Sequence, residues 1–242
     1  MTTLFVSDLH IDAARPEIAA QFAKFLGDEA QSADALYILG DLFESWIGDD
    51  DPNPHYAQTK QRLRALVDYG VPVFFMHGNR DFMIGERFAN ETGVVILDDP
   101  LVRNIHGRDV LLGHGDAYCT DDHEYQAARR MTRDPKWQSM MLARPLHDRM
   151  AFAAAARTKS AARSGTLDTR ITDVNPQAID AVMQQHGVQI MLHGHTHRPA
   201  IHLIQRHDCA ATRIVLGDWF EHGSVVRWDS LGPMLSAIPR PD

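Results

Sequence analysis

Cysteine and long apolar runs are both scarce in this chain. Its 242 residues include two cysteines, Cys119 and Cys209, which are too few for the disulfide framework of a small extracellular domain. No stretch approaches the roughly 18 consecutive apolar residues of a membrane-spanning helix, and no charged and apolar leader precedes the first predicted strand. These absences predict a cytoplasmic protein without a spanning helix. They leave attachment to a membrane surface open.

Positive charge is also in deficit. The formal net charge is −8, which argues against general nucleic-acid binding, because contacts with the phosphate backbone need a basic surface. The basic residues concentrate in one segment, since residues 120–170 carry ten Lys or Arg against six Asp or Glu. A hydrophobic content of 44% is enough for the core of one domain, with or without a large insertion. Nothing indicates an obligate protein partner.

Five short apolar runs each lead to a possible metal ligand. The runs cover residues 4–6, 35–39, 71–76, 110–112 and 190–192, and they read as strands covered on both faces and bounded by glycine turns. We expect the polar residues after them to form one cluster at the strand ends. These residues are Asp8, His10, Asp41, Asn79, His114, His195 and His197.

The donor types in this cluster define its chemistry. Carboxylate oxygen, amide oxygen and imidazole nitrogen, without thiolate, suit a borderline or hard divalent ion such as Mn²⁺, Fe²⁺ or Zn²⁺. Seven ligands are too many for one such ion, whereas two ions that share a bridging carboxylate would use them all. A pair of this kind activates water for attack on phosphate esters and anhydrides. The cluster therefore predicts a metal-dependent hydrolase.

The order of the motifs supports a family assignment. Asp-x-His, Gly-Asp, Gly-Asn, Gly-His and Gly-His-x-His resemble the calcineurin-like metallophosphoesterase superfamily. Residues 40–50, 77–82, 114–122, 173–176 and 216–219 narrow the resemblance to the UDP-2,3-diacylglucosamine diphosphatase family of lipid A synthesis. The resemblance implies an α/β fold, a β-sandwich flanked by helices, with two divalent ions, expected to be Mn²⁺, at the strand ends. It also implies an acylated UDP-sugar substrate and a peripheral position on the cytoplasmic face of the inner membrane.

The resemblance also implies roles for single residues. One metal would be held by Asp8, His10, Asp41 and His197. The other would be held by Asp41, Asn79, His114 and His195. Substrate contacts would come from Asn79, Arg80, Asp122, Ser160 and His195. Arg80 and His195 would steady the phosphate oxygens during catalysis.

Two positions depart from the family pattern or call for a choice. Much of the superfamily has histidine at the position of Arg80. Arginine can bind a phosphate with two hydrogen bonds but cannot donate a proton at neutral pH. The alternative role for Arg80 is a surface ion pair with Asp81. Beyond Ser160, an amide and a basic position of the family fall on Ser164 and Leu167. Leucine cannot bind phosphate, so either Arg157 or Arg163 replaces the basic residue or the register shifts.

The basic segment predicts a helical insertion. Residues 121–163 are expected to be mostly helical, because no glycine lies between Asp116 and Gly165 and because Pro135 and Pro145 mark breaks or helix starts. We therefore expect a metallophosphoesterase core at 1–119 and 171–242, and a cap at 120–170. The insertion is either a helical hairpin that packs on the core or a cap that holds acyl chains and touches the membrane transiently. The resemblance favours the cap.

The functional prediction is hydrolysis of the pyrophosphate bond in UDP-2,3-diacylglucosamine by a metal-activated water. A hydrolase of water-soluble nucleotide sugars or cyclic nucleotides is the nearer alternative. A non-enzymatic scaffold of the same fold is the more remote one, and the loss of ligands that would mark it is not found in this sequence.

Overall fold

Strands and helices alternate along most of the chain. The computed structural model describes residues 1–164, 171–206 and 210–240, with the backbone alone at positions 161, 163 and 164. The strands are β1 (Thr3–Val6), β2 (Ala35–Leu39), β3 (Val73–Met76), β4 (Val95–Leu97), β5 (Leu101–Ile105), β6 (Arg108–Gly113), β7 (Ile190–His193), β8 (Ala200–Gln205), β9 (Ala210–Val215), β10 (Gly223–Asp229) and β11 (Gly232–Ile238). The helices are α1 (Pro16–Asp28), α2 (Pro54–Asp68), α3 (Glu86–Thr92), α4 (His123–Thr132), α5 (Pro135–Leu142), α6 (Leu146–Ser164) and α7 (Pro176–Gln185).

The strands of the described ranges form two mixed sheets. One has the order β11-β10-β1-β2-β3-β4 and the other β5-β6-β7-β9-β8. The strands β1 to β4 pair in parallel with one another, and so do β6, β7 and β9. The strands β10, β11, β5 and β8 add antiparallel pairs at the ends of the two sheets. Parallel strands end at the same edge of a sheet, so the loops that carry the predicted ligands start from shared edges.

Alternation along the strands divides the core into layers. In β1, Phe5 belongs to the apolar cluster between the two sheets, whereas Leu4 and Val6 pack with the residues of α1 to α3. A third cluster, which includes Ile179 and Met183 of α7, covers the outer face of the second sheet. This alternation is what the pleat of a strand requires when both faces are buried. The predicted α/β sandwich flanked by helices is confirmed.

The segment after β6 is helical, as predicted. Pro135 stands in the first turn of α5, where its missing N–H is tolerated, and α6 starts directly after Pro145. The part of the chain that the structure describes contains no helix that is both long enough and apolar enough to cross a membrane. The division of the chain at residues 120 and 170 stays a prediction.

Three arginines join these helices to the strand-end loops. In α6, the buried side chain of Arg149 forms hydrogen bonds with the carbonyl oxygen of Ile47 (2.7 Å) and the carboxylate of Asp50. In α4, the Nε atom of Arg129 donates to Asp116. Arg133, which follows α4, donates to the carbonyl oxygen of Gly78 at 2.9 Å. The helices therefore lie against the same loops that carry the predicted ligands.

Candidate metal centre

The seven predicted ligands lie together in two overlapping groups. In the first group, the Nε2 atoms of His10 and His197 are 3.2 Å apart. The Oδ1 atom of Asp8 is 3.5 Å from Nε2 of His197, and Oδ2 of Asp41 is 3.6 Å from Nε2 of His10. Four side chains from the ends of β1, β2 and β7 thus converge on one small volume.

The second group centres on Asn79. Its Oδ1 atom lies 3.0 Å from Nε2 of His114 and 2.8 Å from Nδ1 of His195. The Oδ1 atom of Asp41 is 3.8 Å from Nε2 of His114, while its Oδ2 atom faces His10 in the first group. The Asp41 carboxylate therefore has one oxygen toward each group, which is the arrangement that a bridging ligand needs.

The backbone at these residues is unusual. Among the described ranges, six non-glycine residues have positive φ, and five of them are predicted ligands. These five are Asp8 (55°), His10 (52°), Asp41 (53°), His195 (68°) and His197 (54°). The left-handed region costs an L-residue of the order of 1–3 kcal/mol and tends to occur at functional sites. The loops therefore turn sharply at these five ligands and direct their side chains into the cluster.

Two glycines allow the loops to approach closely. A Cβ atom at Gly78 would collide with Oδ1 and the backbone nitrogen of Asp41. A Cβ atom at Gly194 would collide with Oδ2 of Asp8 and Oγ of Ser7. The glycines recognised in the sequence as strand-end breaks thus make room for the carboxylates.

The polar atoms of the cluster fit a cation. The Oδ2 atom of Asp8 accepts hydrogen bonds from Ser7 and from the backbone nitrogen of His195, but its buried Oδ1 atom finds no hydrogen-bond partner within the described part of the chain. A buried carboxylate oxygen without a donor is costly. Ligand atoms of Asp8, His10 and His197, and of Asp8, Asp41 and His114, lie within 4.8 Å of one another. A divalent ion would satisfy these oxygens and separate the facing imidazole nitrogens.

The histidines of the cluster differ in pKa. Burial opposes the charged form of His197, but contacts with Asp218 and Asp8 raise its pKa to about 10. Burial also opposes the charge on His114, and the neighbouring Asp41 and Asp8 raise its pKa to about 9. Burial and the positive His114 lower the pKa of His195 to about 4. His195 is therefore a neutral imidazole at pH 7 without a metal, whereas His114 and His197 carry protons.

Carboxylates that were not predicted stand behind two imidazoles. The Oε2 atom of Glu44 lies 2.9 Å from Nδ1 of His10, and Oδ2 of Asp218 lies 3.2 Å from Nδ1 of His197. The corresponding Nδ1 atom of His114 faces the carbonyl oxygen of Leu39 at 2.9 Å. Such partners fix the tautomer and the orientation of a metal-binding histidine. Both carboxylates occur in sequence stretches that carry the family resemblance, which is the signal by which they could have been selected.

Asp81 does not form the surface ion pair that the sequence offered as an alternative. Its buried carboxylate accepts hydrogen bonds from the backbone nitrogens of Gly78 (2.8 Å) and Leu42 (2.7 Å), so it braces two ligand loops against each other. Arg80 instead has Nη1 at 3.7 Å from Oε1 of Glu44. The alternative of a surface ion pair between Arg80 and Asp81 is therefore wrong, because the two side chains point to different surroundings.

The predicted substrate residues are placed less uniformly. Asp122 is buried and caps α4, with Oδ1 accepting from the backbone nitrogen of Tyr125 at 2.9 Å. Arg157 on α6 lies with Nη1 3.6 Å from Oδ2 of Asp12, and Ser160 is exposed on the same helix. Ser164 is the last residue of α6, and its side chain lies outside the described residues, as do the side chain of Arg163 and all of Leu167.

A groove runs from the metal-ligand cluster along α6. Its space measures about 460 Å³ when the adjoining solvent is included, and Asn79 and Arg80 stand at the end nearest the cluster. Glu44, Arg149 and Arg157 add charged groups to its wall. Its apolar lining consists of Trp46, Ile47, Phe82, Met83, Met141, Phe152, Ala153 and Ala156. The groove thus joins an apolar surface to a polar end beside the candidate metal ligands.

Comparisons with known proteins show to which family the chain belongs. The calcineurin-like phosphoesterase profile matches residues 1–199. A UDP-2,3-diacylglucosamine hydrolase of Stenotrophomonas maltophilia is 52% identical over 247 residues, covering 99% of this chain and 100% of its own length. The hydrolase of the same name from Xanthomonas axonopodis pv. citri is 51% identical over 245 residues, covering 98% and 99%. The chain therefore belongs to the calcineurin-like phosphoesterase family and, within it, to the group of UDP-2,3-diacylglucosamine hydrolases.

Proposed function

We propose that this protein hydrolyses the pyrophosphate bond of UDP-2,3-diacylglucosamine and releases UMP and 2,3-diacylglucosamine 1-phosphate, a step of lipid A synthesis. The observation that carries the proposal is the groove, whose apolar walls lead to Asn79 and Arg80 beside the metal-ligand cluster. A diacylated UDP-sugar would match the two parts of this groove, because its acyl chains are apolar and its pyrophosphate is anionic. The names of the relatives support this choice.

We further propose that the seven ligands hold two Mn²⁺ ions. Asp8, His10, Asp41 and His197 would bind one ion, and Asp41, Asn79, His114 and His195 would bind the other. The unpartnered Oδ1 atom of Asp8 and the facing nitrogens of His10 and His197 support this assignment. When bound, the ions would supply Lewis acidity and an activated water at neutral pH. The oxygen and imidazole donors are compatible with manganese, and the choice of Mn²⁺ over Fe²⁺ or Zn²⁺ rests on the family resemblance.

The protein's own groups would orient the pyrophosphate. The backbone N–H of Arg80 donates to Oδ1 of Asp41 at 2.8 Å. The guanidinium of Arg80 is therefore attached to a backbone that is held beside the carboxylate proposed to bridge the ions. It would bind two phosphate oxygens and balance the charge that develops on them. His195, with its pKa lowered by burial and by His114, would act as a neutral ligand and contact for the phosphate and not as a proton donor.

Four residues would complete the substrate site. Arg157 lines the groove, and we propose it as the basic group that replaces the family's position at Leu167. Ser160, three residues further along α6, and Asp122, at the start of α4, would contact the sugar or its phosphate. For Ser164 the proposal rests on the family resemblance.

We propose that residues 120–170 form a cap over a core built from 1–119 and 171–242, and that the cap holds the acyl chains. The contributions of Met141, Phe152, Ala153 and Ala156 to the groove support this division.

The outer surface of the cap suits transient contact with the cytoplasmic face of the inner membrane. Met140 and Met150 are more than half exposed, and the exposed basic residues Lys136 and Arg144 lie in the same helical segment. Apolar side chains flanked by positive charge are attracted to anionic lipid surfaces. Such contact would give the groove access to an acylated substrate.

The test is hydrolysis with Mn²⁺ in detergent, followed by the release of UMP. UDP-2,3-diacylglucosamine is compared with UDP-N-acetylglucosamine and with an aryl phosphodiester. We expect rapid UMP release from the acylated substrate alone. Equal or faster cleavage of UDP-N-acetylglucosamine would favour a hydrolase of water-soluble nucleotide sugars and would remove the acyl-chain role of the groove.

A further inference from the structure

Glu44 stands between a candidate metal ligand and a candidate phosphate ligand. It follows β2 in the loop that also contains Asp41, and its backbone nitrogen donates to the carbonyl oxygen of Ile11 at 3.1 Å. Its Oε2 atom lies 2.9 Å from Nδ1 of His10. Its Oε1 atom lies 3.7 Å from Nη1 of Arg80. One carboxylate therefore contacts both parts of the site.

The contact with His10 determines which ring nitrogen faces the cluster. When Nδ1 donates its proton to Glu44, the lone pair of Nε2 points toward Asp41, Asp8 and His197. A carboxylate behind an imidazole also makes the ring a stronger ligand. Asp218 has the equivalent place behind His197, so the chain offers a matched comparison.

The contact with Arg80 concerns the orientation of a long side chain. An arginine side chain loses much of its rotamer freedom when it becomes ordered. Glu44 would reduce this loss on phosphate binding by keeping the guanidinium beside the cluster beforehand. The salt bridge spans 3.7 Å and both side chains are partly exposed, so a phosphate can compete for the guanidinium.

We propose that Glu44 is a positioning residue with two effects: it strengthens metal binding through His10, and it holds Arg80 in the orientation that receives a phosphate group. The first effect rests on the proposed metal site, and the second rests on the proposed phosphate contact of Arg80. Glu44 itself touches neither the metal nor the reacting phosphorus in this proposal.

Four variants separate the two effects. Glu44→Ala removes both contacts. Glu44→Gln keeps an amide oxygen for Nδ1 of His10 but turns a nitrogen donor toward Arg80. Asp218→Asn weakens the equivalent contact with His197. Glu29→Gln is the matched control, because Glu29 is a partly buried carboxylate that pairs with Arg227 outside the candidate site.

Two titrations provide the measurements. Mn²⁺ is titrated into the metal-free proteins, and inorganic phosphate is titrated into the Mn²⁺-saturated proteins, with circular dichroism to verify folding. We expect Glu44→Ala to raise the Kd for Mn²⁺ by about 10- to 100-fold, and Glu44→Gln to raise it less. Both should weaken phosphate binding several-fold. Asp218→Asn should weaken Mn²⁺ binding and leave phosphate binding at saturating metal unchanged, and Glu29→Gln should change neither.

Two results would overturn the proposal. Wild-type Mn²⁺ affinity in folded Glu44→Ala would remove the first effect. Phosphate affinity in Glu44→Gln that equals or exceeds the wild-type value would remove the second, because loss of a nearby negative charge without loss of positioning should tighten anion binding. If wild-type protein leaves UDP-2,3-diacylglucosamine intact while both titrations shift as expected, the proposed substrate fails and the role of Glu44 stands.

Discussion

His10 and His197 face each other through their Nε2 atoms at 3.2 Å, although they are 187 residues apart in the chain. Each ring is held from behind by a carboxylate, Glu44 for His10 and Asp218 for His197. Two imidazole nitrogens at this distance need a proton or a cation between them. The occupant of this position therefore depends on both pH and metal concentration.

Metal binding should release protons. Despite burial, Asp218 and Asp8 raise the pKa of His197 to about 10, so the metal-free ring is protonated at pH 7 and a divalent ion must displace that proton. The pKa of His114 is also raised, to about 9, so a divalent ion must displace a proton from this ring as well. We expect Mn²⁺ affinity to fall as the pH is lowered from 8 to 6, by roughly tenfold per unit for each proton displaced. Calorimetry in buffers of different ionisation enthalpy measures the number of protons, and a value of zero at pH 7 would contradict the assignment.

Gly78→Ala should damage the metal centre. The new Cβ atom would collide with Oδ1 and the backbone nitrogen of Asp41, so this carboxylate must move. We expect the Kd for Mn²⁺ to rise by at least about tenfold, measured by titration of the metal-free protein. Gly27→Ala in α1 is the matched control, because a Cβ atom there meets nothing within 4 Å. The control should stabilise the protein by up to about 1 kcal/mol, and equal metal affinity in the two variants would refute the steric argument.

Arg149→Ala should destabilise the fold. The change removes the donor for the carbonyl oxygen of Ile47 and leaves Asp50 without this partner. Since the Asp50 side chain is itself exposed, most of the loss comes from the carbonyl group, and we expect a decrease of about 1–3 kcal/mol in the free energy of unfolding in urea. Lys24→Ala, which removes an exposed pair with Asp28, should change it by less than about 1 kcal/mol. Similar losses in both variants would mean that Arg149 acts merely as a surface charge.

Filling the groove should discriminate between substrates. Ala153 lines the groove on α6, and Ala153→Phe would occupy the space that we propose for an acyl chain. We expect the KM for UDP-2,3-diacylglucosamine to rise by about tenfold or more, because about 1.4 kcal/mol of lost contact already gives that factor. Cleavage of an aryl phosphodiester should stay near the wild-type rate. Ala155→Phe, at an exposed position of the same helix, is the control, and a matching rise of KM there would argue against an acyl-binding groove.

The sequence was most informative about the ligands themselves. Apolar runs followed by glycine and a polar residue placed Asp8, Asp41 and His114 at strand ends, and the strands confirm that placement. The position of Arg149 under the loop at Ile47 could not be obtained in the same way. It depends on how α6 packs across the strand ends, and this long-range geometry leaves no periodic pattern in the sequence.

Residues that hold the predicted ligands or their loops in place were also not identified from the sequence. Glu44 and Asp81 both lie within a few residues of predicted ligands, where a carboxylate could equally well bind metal, cap a helix or face solvent. Asp81 proved to accept backbone hydrogen bonds from two ligand loops. The direction of each side chain decided its role, and that direction depends on how the ligand loops pack against one another, which the residue types at these positions do not indicate.

The left-handed backbone at five of the candidate ligands has a cost for the protein as a whole. Glycine would adopt these φ values without strain, so a chain selected for stability alone would place it at position 10 or 197. Histidine at these two positions lowers the stability of the fold but provides a candidate metal ligand. The ends of β1, β2 and β7 therefore mark the positions where a more stable variant of this protein is also expected to be a less active one.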